Sequence, residues 1–218
     1  MKQKLSIAFT IFVSVCVMLF VYHLMTRNDD LASQMQRLFT KHLKRGGITP
    51  RQLVVYFEIG NVFLDVSRTD FDDLRLLHGM NIVELHANQT KITDLSPITV
   101  LKQLQELRIC FTHINDLEPL RNLPLTSLDI GQTDVKDISP LTNTPLEFLY
   151  LSKTAVTNLD VVLSMDRLHT IHFSPKLIPK EQVERLRGKH FECINHLHPE
   201  RFWEEYDSKE LLREVAIP

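Results

Sequence analysis

The sequence predicts an α/β solenoid, a stack of short parallel strands with brief returns, closed by helical caps and preceded by one membrane-spanning helix. Two repeated features and one isolated run carry that prediction. Thr69, Thr90, Thr112, Thr133 and Thr154 stand 21, 22, 21 and 21 residues apart. Aliphatic columns keep step with them: Leu64, Leu85, Leu107, Leu128 and Leu149 five residues before, and Phe71, Ile92, Ile114, Val135 and Val156 two after. The isolated run is Leu5 to Leu24, 20 residues without a charge. Composition agrees, with 33 Leu among 218 residues and only 6 Gly. Charged residues make up 24% and the net charge is -2, which excludes a disordered polyelectrolyte and a dedicated nucleic-acid binder.

The first element, residues 1–28, reads as a signal anchor. A helix of that uncharged run spans about 30 Å, the thickness of the bilayer's hydrocarbon core. Lys2 and Lys4 precede it, whereas Asp29 and Asp30 follow Arg27. The positive-inside bias then places the N-terminus in the cytoplasm and the repeats outside it, in the periplasm or at the cell surface. Two rivals are a cleaved signal peptide and a lipoprotein. The run ends in Tyr22-His23-Leu24-Met25, a poor cleavage site, and Val15 is bulky for the lipoprotein box before Cys16.

Residues 29–61 form the second element. Leu31, Met35, Leu38, Phe39 and His42 make one apolar stripe of a helix, with Arg37, Lys41, Lys44 and Arg45 off it. Gly46-Gly47 stops that helix. It either caps the exposed end of the repeats, the preferred reading, or rests on anionic lipid. Val54 to Phe57 then reads as β-rich.

Residues 62–190 carry the repeats, and their spacing is L-x-x-L-x-L-x-x-T-x-I-x-D-L-x-P-L. That is a leucine-rich repeat pattern, with parallel strands on the concave face and 3₁₀ or extended returns on the convex one. No unit can bury its leucines alone, so neighbours stack around a continuous core. The Thr hydroxyls are expected to bond backbone groups of their own and the adjacent turn. Asp73, Asp94, Asp116 and Asp137 are expected to close Asx-type turns. Ser96, Glu118 and Ser139, each before a Pro, are expected to cap helical turns. A sixth unit continues in Leu168, Ile171, Phe173 and Ile178, and a seventh begins with Phe191 and Ile194.

These repeats, from residue 62 to about 178, resemble the short bacterial leucine-rich repeats of internalin type, in which D-L-x-P-L follows each strand. The tail from Ile194 to Asp207 is similar to the I-N…F-W-x-x-Y-D ending of some bacterial proteins with Thr-type repeats, which usually carry Gly where this chain has His196. The resemblance implies a recognition or scaffold role and transfers no catalytic residue. Residues 191–218 read as a cap helix and tail. Phe202 and Tyr206 share a helical face, Trp203 adjoins it, and such aromatics can seal the last rung's open core.

Residues between the Leu columns face the concave side. There Asp65, His86, Arg108, Asp129, Tyr150 and His172 form a central column, and Phe148 joins them as a candidate binding residue. Phe63, Glu84, Glu106, Ser127 and Thr170 share the Phe148 column; Ser67, Asn88, Cys110, Gly131, Ser152 and Ser174 lie on the other side. The rival to a binding strip is a solvated sheet face whose charges pair locally, Arg108 with Asp129 for example. Aromatic residues and Arg are interface anchors, so the strip is read as a site for a protein partner. The alternatives are a structural spacer without a concave-face ligand and an enzyme of unknown chemistry.

No catalytic residue, metal, cofactor or small-molecule substrate is expected. The chain has 10 His, but no C-x-x-C or H-E-x-x-H spacing, and no carboxylate is seen at a fitting offset from His169, His172, His190, His196 or His198. No phosphate loop, nucleophile elbow or dinucleotide fingerprint is present. Cys110 and Cys193 lie four rungs apart, about 19 Å, beyond disulfide reach.

Overall fold

The structure, a computed structural model, describes residues 54–58 and 61–215 together with Lys41 and Lys44. Eight strands form one sheet in chain order: β1 (Val54–Glu58), β2 (Asn61–Asp65), β3 (Ile82–His86), β4 (Glu106–Arg108), β5 (Ser127–Asp129), β6 (Phe148–Tyr150), β7 (Thr170–His172) and β8 (Cys193–Ile194). β1 runs antiparallel to β2, and every later pair is parallel. The described residues are thus an α/β leucine-rich-repeat solenoid opened by a hairpin. The parallel ladder continues into β8, within the segment assigned to the C-terminal cap.

Lys41 and Lys44 are helical and exposed. The run Leu5 to Leu24, read above as an anchor, lies outside the described residues. Among the described residues, no helix is long and apolar enough to cross a membrane.

Each Leu column ends up inside. Leu64, Leu85, Leu107, Leu128 and Leu149 are all buried, as are Phe71, Ile92, Ile114, Val135 and Val156 after each turn. The core is one continuous cluster from Val62 to Tyr206, as stacking of units that cannot fold alone requires. On the convex side the returns are 3₁₀ turns at Leu74–Leu77, Ser96–Val100, Glu118–Leu120 and Ser139–Leu141. The fifth return is a short helix, α1 (Asp160–Leu163).

The turn chemistry refines the sequence reading. Each Thr hydroxyl donates to the carbonyl three residues earlier in its own turn: Val66, Ala87, Ile109, Ile130 and Leu151, at 2.6–2.8 Å. Contact with the adjacent turn is made mostly by backbone instead, as Arg68 N–H to Asn88 C=O (2.8 Å) and Gln132 N–H to Ser152 C=O (2.9 Å), and at Lys153 through the Ser174 hydroxyl (2.8 Å). The residue before each Thr is left-handed although none is Gly: Arg68, Gln89, Phe111, Gln132 and Lys153 have φ of 55–60°.

The Asp ladder closes Asx turns: Asp73, Asp94, Asp116 and Asp137 accept the N–H two residues on, at 2.7–2.9 Å. Asn158 does the same for Asp160 N–H. Because those carboxylates already hold the N–H groups of Ser96, Glu118 and Ser139, these three residues are not caps. They occupy the first position of each 3₁₀ turn, with Pro at the second, and the cap positions fall to Leu95, Leu117 and Ile138.

Beyond the last full rung come α2 (Lys180–Arg185) and α3 (Pro199–Val215). Phe202 and Tyr206 of α3 are buried, and Phe202 lies 6.0 Å from Phe173 between ring centroids. Trp203 is only partly buried, under the Arg187 guanidinium at 4.2 Å. Arg187 also bonds Asp207 (2.7 Å) and Glu184 (2.9 Å), so it ties α3 to the chain after α2.

Candidate binding face

Strand register assembles the predicted columns. Asp65, His86, Arg108, Asp129, Tyr150 and His172 are successive partners across β2 to β7. Glu84, Glu106, Ser127 and Phe148 are likewise consecutive partners. At about 4.8 Å per rung the columns form a continuous strip. The structure divides that strip into an ionic half and an aromatic half.

The ionic half lies on β3 and β4. His86 Nε2 is 2.6 Å from Glu84 Oε1 and 3.2 Å from Glu106 Oε1. Arg108 binds Glu106 through Nε rather than pairing with Asp129. The reason is local: Glu106 stands two residues earlier on the same strand and face, whereas Asp129 is engaged elsewhere. The hydrogen bond from His86, aided by Arg108, holds the Glu106 carboxyl below the usual carboxylate range against the opposing effect of burial. Glu84 and Glu106, of the flanking column, join the site beside the central-column residues. Their signal in the sequence is two identical residues one repeat apart, with His86 beside them.

The aromatic half spans β6 to the turn after β8. Phe148 packs edge-on to His169 (4.7 Å between centroids), and Tyr150 lies 4.5 Å from His172. His172 is only 4% exposed, covered by Tyr150 on one side and His196 on the other. Burial, with a smaller contribution from His196, pushes the His172 pKa down to about 4. Cys193 Sγ approaches His172 Nε2 at 3.9 Å. His172 therefore buttresses Tyr150 rather than presenting itself. His169 and His196 are further members of this half that the strand columns did not single out.

Asp65 and Asp129 are engaged by the turns that follow their own strands. Asp65 accepts Ser67 N–H at 2.8 Å, and Asp129 accepts Gly131 N–H at 3.0 Å. Asn88 and Asn195 accept the N–H groups of Cys110 and Phe173 in neighbouring rungs. Burial raises the Asp129 carboxyl above its ordinary range. Burial and the Asp129 charge push the Cys110 thiol up to about 11. Asp129 and His172 stand on β5 and β7 with Tyr150 of β6 between them. Cys110 and Cys193 are both free thiols.

No protein-family model and no curated protein matches the chain. Among solved structures it is similar to an internalin (inlF) from Listeria monocytogenes, with 27% identity and a TM-score of 0.53, covering 59% of this chain and 39% of that one. It is also similar to an internalin C2 (inlC2) from the same organism, with 30% identity and a TM-score of 0.50, covering 51% of each chain. The chain thus spans about half or less of the length of these bacterial leucine-rich-repeat proteins.

Proposed function

We propose that the chain is a membrane-anchored recognition module that binds a protein partner through the concave face of its solenoid. The observation that supports this reading is the pairing, on one rigid face, of an ionic group with an aromatic group. Arg108 keeps 48% of its side chain exposed while bound to Glu106. Two rungs along, Tyr150 and Phe148 stand partly exposed side by side on β6. Arg and Tyr are the side chains that most often dominate interface energies, above all when supported from behind. Here Glu106 supports one and His172 the other. Similarity to internalins favours the same class of role, and the anchor is the uncharged run Leu5 to Leu24.

The test is cross-linking capture from membranes with the native chain and with a variant carrying Arg108→Ala, Phe148→Ala and Tyr150→Ala. His172 is kept because it is buried. A protein captured by the native chain and lost with the variant supports recognition through this face. The same capture from both, or none from either, favours the spacer reading. Orientation is tested by Ser208→Cys in a chain lacking Cys110 and Cys193. Labelling of intact cells by an impermeant thiol reagent is expected, and labelling only after lysis would reverse the topology.

A further inference from the structure

We propose that Glu84, His86 and Glu106 form a divalent metal site on the concave face, with zinc the ion whose chemistry fits the donors best. One ligand atom from each of the three lies within 4.8 Å of the other two. Zinc bonds nitrogen and carboxylate oxygen at about 2.0–2.2 Å, so tetrahedral donors sit roughly 3.4 Å apart. The His86 contacts to the two carboxylates, 2.6 and 3.2 Å, are both a little shorter than that spacing. Small side-chain rotations therefore open the pocket, and no backbone movement is required.

The scaffold suits a site. Glu84 and Glu106 are direct partners across β3 and β4, and the intervening Leu85 and Leu107 are fully buried beneath them. Donors carried on strands locked by packing keep their spacing better than donors on loops. The three side chains are 22–27% exposed, enough for an ion to enter and little enough to limit solvent screening. Two carboxylates face a single guanidinium, so the group carries a net charge of -1 with His86 neutral, and a dication is attracted.

Arg108 has a part in the proposal as well as a competing one. It binds Glu106 and orients that carboxylate, the role an outer hydrogen-bond partner plays around metal ligands. In the metal-free form, His86 Nε2 bonds the carboxylates. On binding, the neutral imidazole carries its proton on Nδ1 instead of Nε2, the Nε2 lone pair turns to the ion, and the carboxylates follow. A mixed imidazole and carboxylate set suits zinc better than calcium or magnesium, which prefer all-oxygen shells. Three protein ligands leave a fourth position for water or for a donor brought by a second molecule.

The experiment is zinc titration of the purified full chain against a chromophoric chelator, followed by cobalt substitution. One tight equivalent is expected. His86→Ala should weaken that equivalent at least a hundredfold and Glu106→Gln at least tenfold, whereas His113→Ala, on an exposed pair elsewhere, should leave it unchanged. Circular dichroism and melting check each variant, and Glu84→Gln replaces His86→Ala should the latter fail to fold. Bound cobalt should show visible bands without a thiolate charge-transfer band. Retention of the tight equivalent in His86→Ala, or absence of any tight equivalent in the native chain, would overturn the site. So would a thiolate band abolished by Cys193→Ser, which would put the ion at the other end of the face.

Discussion

His196 packs edge-on against His172, with ring centroids 3.9 Å apart and planes at 79°. The contact depends on the turn from Ile194 to Leu197, whose central residues Asn195 and His196 are both left-handed, with φ of 51° and 65°. Leu197 N–H closes the turn on Ile194 C=O at 2.9 Å. Two successive left-handed residues mark a type I′ turn, where Asn-Gly is the favoured pair. His196 thus accepts a backbone cost that Gly would not incur, and the ring contact offsets part of it.

Replacement of His196 by Gly exchanges that contact for an unstrained turn. The melting temperature is expected to stay within about 4 °C of the native value, since the two effects are each on the order of 1 kcal/mol. His196→Val has no such compensation, because a β-branched side chain at positive φ is an outlier. It should cost about 2 kcal/mol or more. Equal melting of the two variants would mean that the turn is not left-handed in solution.

His172 makes stability depend on pH. Its folded pKa of about 4 lies below the ordinary value of 6.5, so the unfolded chain takes up the proton first. Stability is constant above pH 6.5, falls as pH drops from 6.5 towards 4, and levels once the folded form is protonated. The loss over that window is about 3 kcal/mol from this group. Tyr150, Cys193 and His196 are the titratable groups facing it. Melting from pH 7.5 to 4.5 should show the decline, and His172→Phe should flatten it. An unchanged slope in that variant would assign the acid sensitivity elsewhere.

The C-terminal cap is carried by Phe202 rather than by its larger neighbour. Phe202 is 5% exposed and contacts Phe173, Trp203 and Tyr206. Phe202→Ala should cost about 3–5 kcal/mol. Trp203→Ala, which removes a partly exposed ring and its guanidinium contact, should cost less than half as much. Urea denaturation of the two variants gives the order, and the reverse order would show that Trp203 is the plug.

Cys110 should be slow to alkylate. With its pKa near 11, its thiolate fraction at pH 8 is about a hundredfold lower than that of an unperturbed thiol, and higher intrinsic nucleophilicity recovers only part. Folded Cys110 is expected to react with iodoacetamide about tenfold more slowly than in urea, followed by mass spectrometry. Asp129→Asn should raise the folded rate. Equal rates folded and unfolded would mean that Asp129 and burial exert no hold on the thiol.

The solenoid was legible in the sequence because each core position is written once per rung. Leu85, Leu107 and Leu128 occupy one column, and a single misread residue could not hide it. The ionic half was half legible: Glu84 and Glu106 share a column, but their convergence on His86 depends on side-chain rotamers that the repeat does not write. The His172 environment was not legible. His196 reaches it through a turn after the last strand, where the repeat no longer sets the register. The left-handed positions were hidden for another reason. Arg68, Gln89, Phe111, Gln132 and Lys153 share no chemistry, and none of those residue types favours positive φ. Their conformation is imposed by the stacked turns and by the Thr that follows each.

The Thr hydroxyls have a consequence for inheritance. Each one satisfies a carbonyl of its own turn, so that bond owes nothing to the corner above or below. Most of what passes between corners is backbone, which any sequence supplies, with side-chain links at a few of them, such as Lys153 N–H to Ser174 Oγ. A unit of this kind can be duplicated or lost in the gene without redesign of those that remain, and the register closes over the change. Rung number and rung chemistry are then independent variables. The reach of the concave face alters in steps of about 4.8 Å, while the residues already displayed keep their neighbours.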